Sequence, residues 1–229
     1  KMNGFINLYK PSGMTSAYAL NKIKKLLGKK VKCGHMGTLD PMATGVLPIF
    51  LGRATALSSF LLDADKRYIA EIKLGIKTDT DDITGNIIST NSVSVTNDDI
   101  NNALNNFIGK ISQYPPVYSA IKKDGVRLYK LAREGKPVEI KPRDIEIFDI
   151  KLLSTLGNDN IFKIEAHVSK GTYIRSLARD IGEFLGCSAT LYSLERTFAS
   201  GFDIEDCVKL DEIDETNISK FLLNEEIAV

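Results

Sequence analysis

At 229 residues with 43% hydrophobic content the chain can bury a substantial core, and its formal net charge of +1 excludes a globally basic nucleic-acid binder. Any face that holds phosphates must therefore arise from how the charge is distributed. No apolar run approaches the length of a membrane span, and the three widely spaced cysteines, Cys33, Cys187 and Cys207, form no C-x-x-C pair and have no histidine partner pattern. That usage points to a reducing compartment and to no zinc.

The N-terminal stretch is purely cationic, with eight lysines and no acid over residues 1–39. Lys1 ahead of Met2 reads as an addition to the natural start, and no secretory hydrophobic region follows it, so a cytoplasmic location is expected. Between Thr15 and Leu27 the apolar residues Ala19, Leu20, Ile23, Leu26 and Leu27 recur at helical spacing, with Asn21, Lys22, Lys24 and Lys25 mostly on the other side. Thr15 or Ser16 is the expected cap and Gly28 the stop. Lys29, Lys30 and Lys32 extend the basic surface, which suits a helix that leads phosphates toward the loop that follows.

That loop, Gly34-His35-Met36-Gly37-Thr38-Leu39-Asp40-Pro41-Met42-Ala43-Thr44-Gly45, carries the first acid of the chain. Cationic surroundings keep a carboxylate ionised. Asp before Pro also fits a helix start, the side chain capping an orphan amide and the proline preset at the first helical position. The neighbouring glycines go beyond a cap, since they permit close approach of backbone to a ligand. The two roles are compatible.

Further on, Tyr68, Ala70, Ile72 and Leu74 alternate as a strand ending at Gly75. The acidic connection from Thr78 to Gly85 fails the calcium-loop template and reads as structural. A short helix scaffold is expected after Thr96, with Ile100, Leu104, Phe107 and Ile108 on its apolar face and Gly109 as its end. Pro115-Pro116 blocks helix, Val117 to Ile121 reads extended, Lys123-Asp124-Gly125 supplies a turn, and Leu128 to Arg133 is a helical candidate. Val138 to Leu153, interrupted by Pro142, suggests edge or bent strands.

Phe162, Ile164, Ala166 and Val168 alternate along another strand, with His167 on its exposed side. After Gly171, Thr172 is the expected cap of a helix whose apolar positions are Ile174, Leu177, Ala178, Ile181 and Leu185, stopped by Gly186. Tyr173 and Arg175 fall in its first turn, where the helix dipole disfavours a cation and a carboxylate partner would help. From Asp203 onward nine acids face two lysines, a tail that would be repelled by RNA and is expected to lie away from the substrate or simply to solvate the surface. The class is α+β with much antiparallel sheet.

GHMGTLDPMATGVLPI resembles the signature of the tRNA pseudouridine synthase B (TruB) family, in which the aspartate of the G-x-L-D-P core is catalytic. KPSGMTS (Lys10 to Ser16), KRYIAEIKLGIKTDTDDITG (Lys66 to Gly85), QYPPVYSAIKKDGVRLYKLAREG (Gln113 to Gly135) and SKGTYIRSLARDIG (Ser169 to Gly182) resemble the same family in the expected order, covering nearly the whole chain. The resemblance implies the pseudouridine synthase fold, a mixed and mainly antiparallel sheet flanked by helices and loops around a central active-site cleft. It implies one catalytic domain over residues 1–229, acting as a monomer on the T stem-loop of tRNA without metal or cofactor. The family's small C-terminal RNA-binding domain is expected to be absent.

The implied reaction isomerises uridine 55 to pseudouridine: the N-glycosidic bond breaks, the uracil rotates, and it rejoins through carbon. Such chemistry needs a positioned carboxylate, an aromatic face for the detached base and exclusion of water. Asp40 supplies the carboxylate, as nucleophile toward sugar or uracil or as base toward a ribose proton. By resemblance Arg175 pairs with that aspartate, Tyr68 stacks on the flipped uracil, Tyr173 and Leu194 close the pocket, and His35 contacts the displaced nucleotide. Lys10 supports the site or a phosphate, and Asp82 matches a family aspartate. Two substitutions depart from the pattern: Lys77 stands where the family has arginine, and Glu195 reverses a charge in the family's Leu-Arg-Arg. The alternative is a non-catalytic module that grips the tRNA elbow or folds RNA. Glycosidic hydrolysis is weaker, for want of a second acid in a comparable loop.

Overall fold

The computed structural model describes residues 2–224 apart from 29–30, 58–60, 62, 120–121, 124–125, 128–130, 132–133 and 136–138. Among them the strands are β1 (Gly4–Lys10), β2 (Cys33–His35), β3 (Thr44–Leu51), β4 (Lys66–Leu74), β5 (Ile76–Thr78), β6 (Ile87–Thr90), β7 (Gly109–Gln113), β8 (Lys122–Lys123), β9 (Val126–Arg127), β10 (Arg143–Ser154), β11 (Ile161–Val168), β12 (Ala189–Ala199), β13 (Phe202–Asp203) and β14 (Val208–Lys209). The α-helices are α1 (Ser16–Leu27), α2 (Asn97–Asn106) and α3 (Ile174–Phe184). The class is α+β with mainly antiparallel pairing, as expected. The chain divides into two compact units, Lys1–Ile69 with Leu194–Val229, and Ala70–Ser193.

In the first unit β1 and β3 pair antiparallel along their full length, from Gly4 opposite Leu51 to Lys10 opposite Gly45. β2 pairs antiparallel with β3, while β12 lies parallel to it through Glu195 opposite Thr44 and Arg196 opposite Gly45. Phe5 centres the core, its ring 5.6 Å from Phe50 and 5.5 Å from Phe202, with Met36, Val46, Ala54 and Leu61 in the same cluster. Each such side chain contributes about 1.5–3 kcal/mol by leaving water. α1 is capped by the Thr15 hydroxyl, which accepts from the Tyr18 amide at 3.0 Å, and it ends at Gly28 in the left-handed region. Its buried residues are Ser16, Ala19, Leu20 and Ile23, while Leu26 and Leu27, which the periodicity also names, are only half-buried.

The acidic tail does not simply solvate the surface. β14 pairs parallel with β1, and Leu223 exchanges both backbone hydrogen bonds with Phe5. Ile213 and Ile218 are buried. An edge strand such as β1 leaves open amides and carbonyls, and this segment satisfies them whatever its charge.

In the second unit, which takes β4 from Ala70 onward, the order is β4-β11-β10-β7, and β5-β6 and β8-β9 form separate two-stranded sheets. β4 and β11 follow the expected alternation, every second residue being buried. β10 begins after Pro142 and is paired on both sides, so it is no edge strand; shifts of register between Ile147 and Asp149 and between Leu152 and Ser154 bend it, and β7 is outermost. His167 is half-buried rather than exposed, because the Phe148 ring lies 4.9 Å from its own. α2 carries a full capping box, Thr96 and Asp99 each bonding the other's backbone amide. The helix ends at Phe107, and Gly109 opens β7 instead of ending the helix.

α3 starts one residue later than its sequence suggests. Tyr173 occupies the cap position with no side-chain bond, and the Thr172 hydroxyl donates to the Ser169 carbonyl at 2.9 Å, stabilising the preceding turn. Lys122 opposite Arg127 and Lys123 opposite Val126 fit the hairpin read at Asp124-Gly125, but that turn, the helical candidate at Leu128 to Arg133, Lys29 and Lys30 lie wholly or partly outside the described residues.

Candidate active site

Asp40 lies on the connection between β2 and β3, and it caps no helix: Pro41 and Met42 form a turn in which the Ala43 amide donates to the Asp40 carbonyl at 3.0 Å. The buried strand β3 starts four residues after Asp40, leaving no room for a helical turn. Segment Lys10 to Ser16 holds this turn through its backbone. The Gly13 amide donates to the Pro41 carbonyl at 2.8 Å, and the Ser12 hydroxyl donates to the Met42 carbonyl at 3.1 Å.

Lys10, the last residue of β1, is fully buried. Its ammonium donates to the carbonyls of Pro11 and Met14, both at 2.8 Å, and of Pro41 at 3.4 Å. Three donors meet three acceptors, so Lys10 supports the loop rather than reaching for a phosphate. Burial pulls its pKa down to about 8, against the opposing charge of Asp40, and Arg196 lowers it further. His35 ends β2 at the other end of the loop, and its buried Nδ1 finds no hydrogen-bond partner among the described residues. Burial, then Arg196 and Lys24, hold its pKa below the usual range, so the imidazole is neutral at pH 7.

Tyr68 faces inward on β4 and Leu194 on β12, both buried. Glu195 accepts from the Tyr9 hydroxyl. With Lys10, His35 and Asp40 these residues belong to the first unit.

Arg175 and Tyr173 belong to the second unit. Arg175 is buried, not the surface arginine its type usually gives, and it donates to the carbonyls of Thr80 at 3.1 Å and Tyr118 at 3.0 Å. The Thr80 segment is itself braced by Asp82, whose Oδ1 accepts from the hydroxyls of Thr80 and Thr84 and the amide of Thr84 at 2.6–3.0 Å. This is the structural role read for Asp82. The backbone of Tyr173 is clasped by one buried side chain, Gln113, which accepts from its amide at 2.9 Å and donates to its carbonyl at 3.1 Å.

Two residues of this second arrangement were not evident in the sequence. Gln113 gave no signal beyond standing before a tyrosine and two prolines. Arg179 did, since it sits one helical turn after Arg175; it meets Asp81 at 2.8 Å and donates to the Tyr114 carbonyl at 2.9 Å. Among the described residues no group of three or more His, Cys, Asp or Glu could hold a metal ion, and no helix is long and apolar enough to cross a membrane.

A family model described as TruB family pseudouridylate synthase (N terminal domain) matches residues 24–174, and one described as tRNA pseudouridylate synthase B C-terminal domain matches residues 175–226. The chain is 48% identical over 223 residues to the tRNA pseudouridine synthase B of Francisella philomiragia, covering 96% of this chain and 73% of that protein. With the Clostridium tetani protein of the same name it shares 46% over 229 residues, covering 100% and 78%. Among solved structures, the crystal structure of a Cbf5-Nop10-Gar1 complex contains a chain that superposes with a TM-score of 0.76 at 32% identity, covering 100% of this chain and 62% of that one. The structure of an H/ACA RNP bound to a substrate RNA containing 2'-deoxyuridine gives 0.70 at 28%, covering 98% and 57%. This chain thus spans about three fifths of the length of those solved chains.

Proposed function

The chain belongs to the TruB family of pseudouridylate synthases, enzymes of uridine isomerisation in tRNA, and we propose that it acts on the uridine at position 55 of the T loop with Asp40 as the reacting carboxylate. The observation that carries this reading is the turn at Asp40, where a carboxylate stands on a backbone fixed at Pro41 and Met42 by three donors of the segment Lys10 to Gly13. Fixed placement of the reacting group supplies the orientation that the isomerisation demands.

In this mechanism the target nucleotide leaves its stack and presents its base to Tyr68, whose ring offers a flat apolar face. The Asp40 carboxylate attacks sugar or uracil, or takes a ribose proton, and the detached uracil turns before carbon 5 bonds to the sugar. By its match to the family's arginine, Arg175 is the guanidinium assigned to orient Asp40. Tyr173 and Leu194 exclude water from the intermediate. Neutral His35 contacts the displaced nucleotide, and the lysines of α1 meet phosphates. The protein works as a monomer in the cytoplasm, with no metal or cofactor, and residues 1–229 form its catalytic domain.

Release of tritium from 5-tritiated uridine in an unmodified tRNA transcript tests this directly, because carbon 5 loses its hydrogen on becoming the glycosidic carbon. The parent protein is expected to release tritium and Asp40→Asn to release none while keeping its melting temperature. Full release by Asp40→Asn, or tRNA binding by the parent with no release, would overturn the reading.

A further inference from the structure

Among the described residues Arg196 is the largest of the fully buried side chains, yet it sits on β12 opposite Gly45 of the buried strand β3. A buried guanidinium needs acceptors for its fork of donors. Those it finds are backbone carbonyls: Nε donates to Val46 at 2.8 Å, and Nη2 donates to Gly37 at 3.0 Å and to Met36 at 3.4 Å. These carbonyls bracket residues 38–45, and Asp40 lies within the bracket.

The glycines of the loop follow from the same contact. Gly37 has φ +66°, and a Cβ there would come within 3.2 Å of Arg196 Nη1. Gly45 has φ +106° and pairs with Arg196 in the β3–β12 register, so a side chain would run into the Arg196 backbone. A second hold comes from α1. The buried Ser16 hydroxyl accepts from the Leu39 amide at 2.8 Å and donates to the Leu39 carbonyl at 3.1 Å, so it satisfies both polar groups of the residue before Asp40.

We propose that Arg196 and Ser16 are positioning residues for the reaction: Arg196 ties the two ends of the loop together and Ser16 fixes the residue next to Asp40, so that together they set where the carboxylate stands. The inference rests on the reading of Asp40 as the reacting group. Neither side chain is offered as touching substrate. Their removal should slow the chemical step and leave tRNA affinity alone, since a displacement of about 1 Å in a reacting group can slow a reaction by roughly 100-fold. A lysine at 196 keeps the charge but reaches fewer of the three carbonyls, and so restores only part of the rate.

The test compares the single-turnover rate of tritium release and the tRNA Kd for the parent, Ser16→Ala, Arg196→Lys, Arg196→Met and Asp40→Asn, each checked by thermal melting. Rates are expected to fall about 10-fold for Ser16→Ala and about 100-fold for Arg196→Met, with Arg196→Lys between Arg196→Met and the parent, while Kd stays within about twofold. If Arg196→Met does not fold, Ser16→Ala and Arg196→Lys decide. Parental rates in both, with Asp40→Asn inactive, would overturn this inference alone, as would losses appearing in Kd instead of the rate. A parental rate in Asp40→Asn would overturn the reading beneath it.

Discussion

The Tyr9 hydroxyl donates to Oε2 of Glu195 at 2.7 Å. The acid that stands where the family usually carries arginine is thus built into the first unit, with the Thr44 hydroxyl a weaker second donor at 3.5 Å. Burial raises the Tyr9 pKa, and the Glu195 charge adds to it, which keeps the phenol a donor over the whole neutral range.

Tyr9→Phe should therefore lower the unfolding free energy by about 1.5–3 kcal/mol in urea titrations, the usual loss for a hydrogen bond to a charged group. Glu195→Arg loses the same bond and adds a cation. If this position faces RNA, the variant binds tRNA more tightly and its log Kd against log salt steepens by about 0.7–0.9. An unchanged slope would put Glu195 outside the RNA footprint.

Lys10 makes stability depend on alkaline pH. Its folded pKa, about 8, lies below its ordinary 10.5, so the unfolded chain binds the proton more tightly. The penalty for holding an ammonium there is complete below about pH 8 and is relieved as pH rises toward 10.5. The stability of the parent relative to Lys10→Met should accordingly rise between pH 8 and pH 10, measured by urea unfolding at each pH. A constant difference would refute the assignment.

Lys22 and Lys25 are exposed on α1, and the Lys22 ammonium sits 5.5 Å from the centre of the exposed Tyr18 ring. With no acid on the helix, we propose this face as a track for phosphates. Lys22→Glu with Lys25→Glu should weaken tRNA binding several-fold at low salt and flatten the salt slope by about 1.5. The single-turnover rate at saturating enzyme should stay near parental. A loss confined to that rate would contradict the assignment.

Arg179 spans two acids, meeting Asp81 at 2.8 Å and Asp180 at 2.9 Å, and all three side chains are largely buried. Removing the cation strands two carboxylates whose pKa values burial already raises, so Arg179→Ala should destabilise the fold by about 3 kcal/mol at pH 7. A carboxyl with a raised folded pKa is relieved by protonation, so the deficit should shrink as pH falls toward 4. Urea unfolding at pH 7 and pH 4.5 measures both quantities.

Much of this was legible in the sequence because short-range periodicity is written into neighbouring residues. Tyr68, Ala70, Ile72 and Leu74, or Phe162 to Val168, could bury one face only as strands, and Thr15 and Gly28 bound their helix by local chemistry alone. The motif around Asp40 was equally plain. Its local conformation was not, because Asp-Pro begins a helix or a turn with equal ease, and the choice fell to β3, whose pairing starts at Thr44. The hold of Arg196 and Ser16 on the loop was not legible for a related reason: their partners lie 150–160 and 23 residues away along the chain, and they are carbonyls and an amide that nearly every residue type carries. Side chains that bond to backbone leave no complementary residue to find.

That the loop is gripped by its peptide groups has one more consequence. The backbone around position 40 is held by residues 10–16 and 196 through bonds to its peptide groups. The loop behaves as a socket, and what is fitted to it can be exchanged. Asparagine, cysteine or glutamate placed there would meet the same peptide-group holds, so a comparison of such proteins separates what the backbone fixes from what the carboxylate itself contributes.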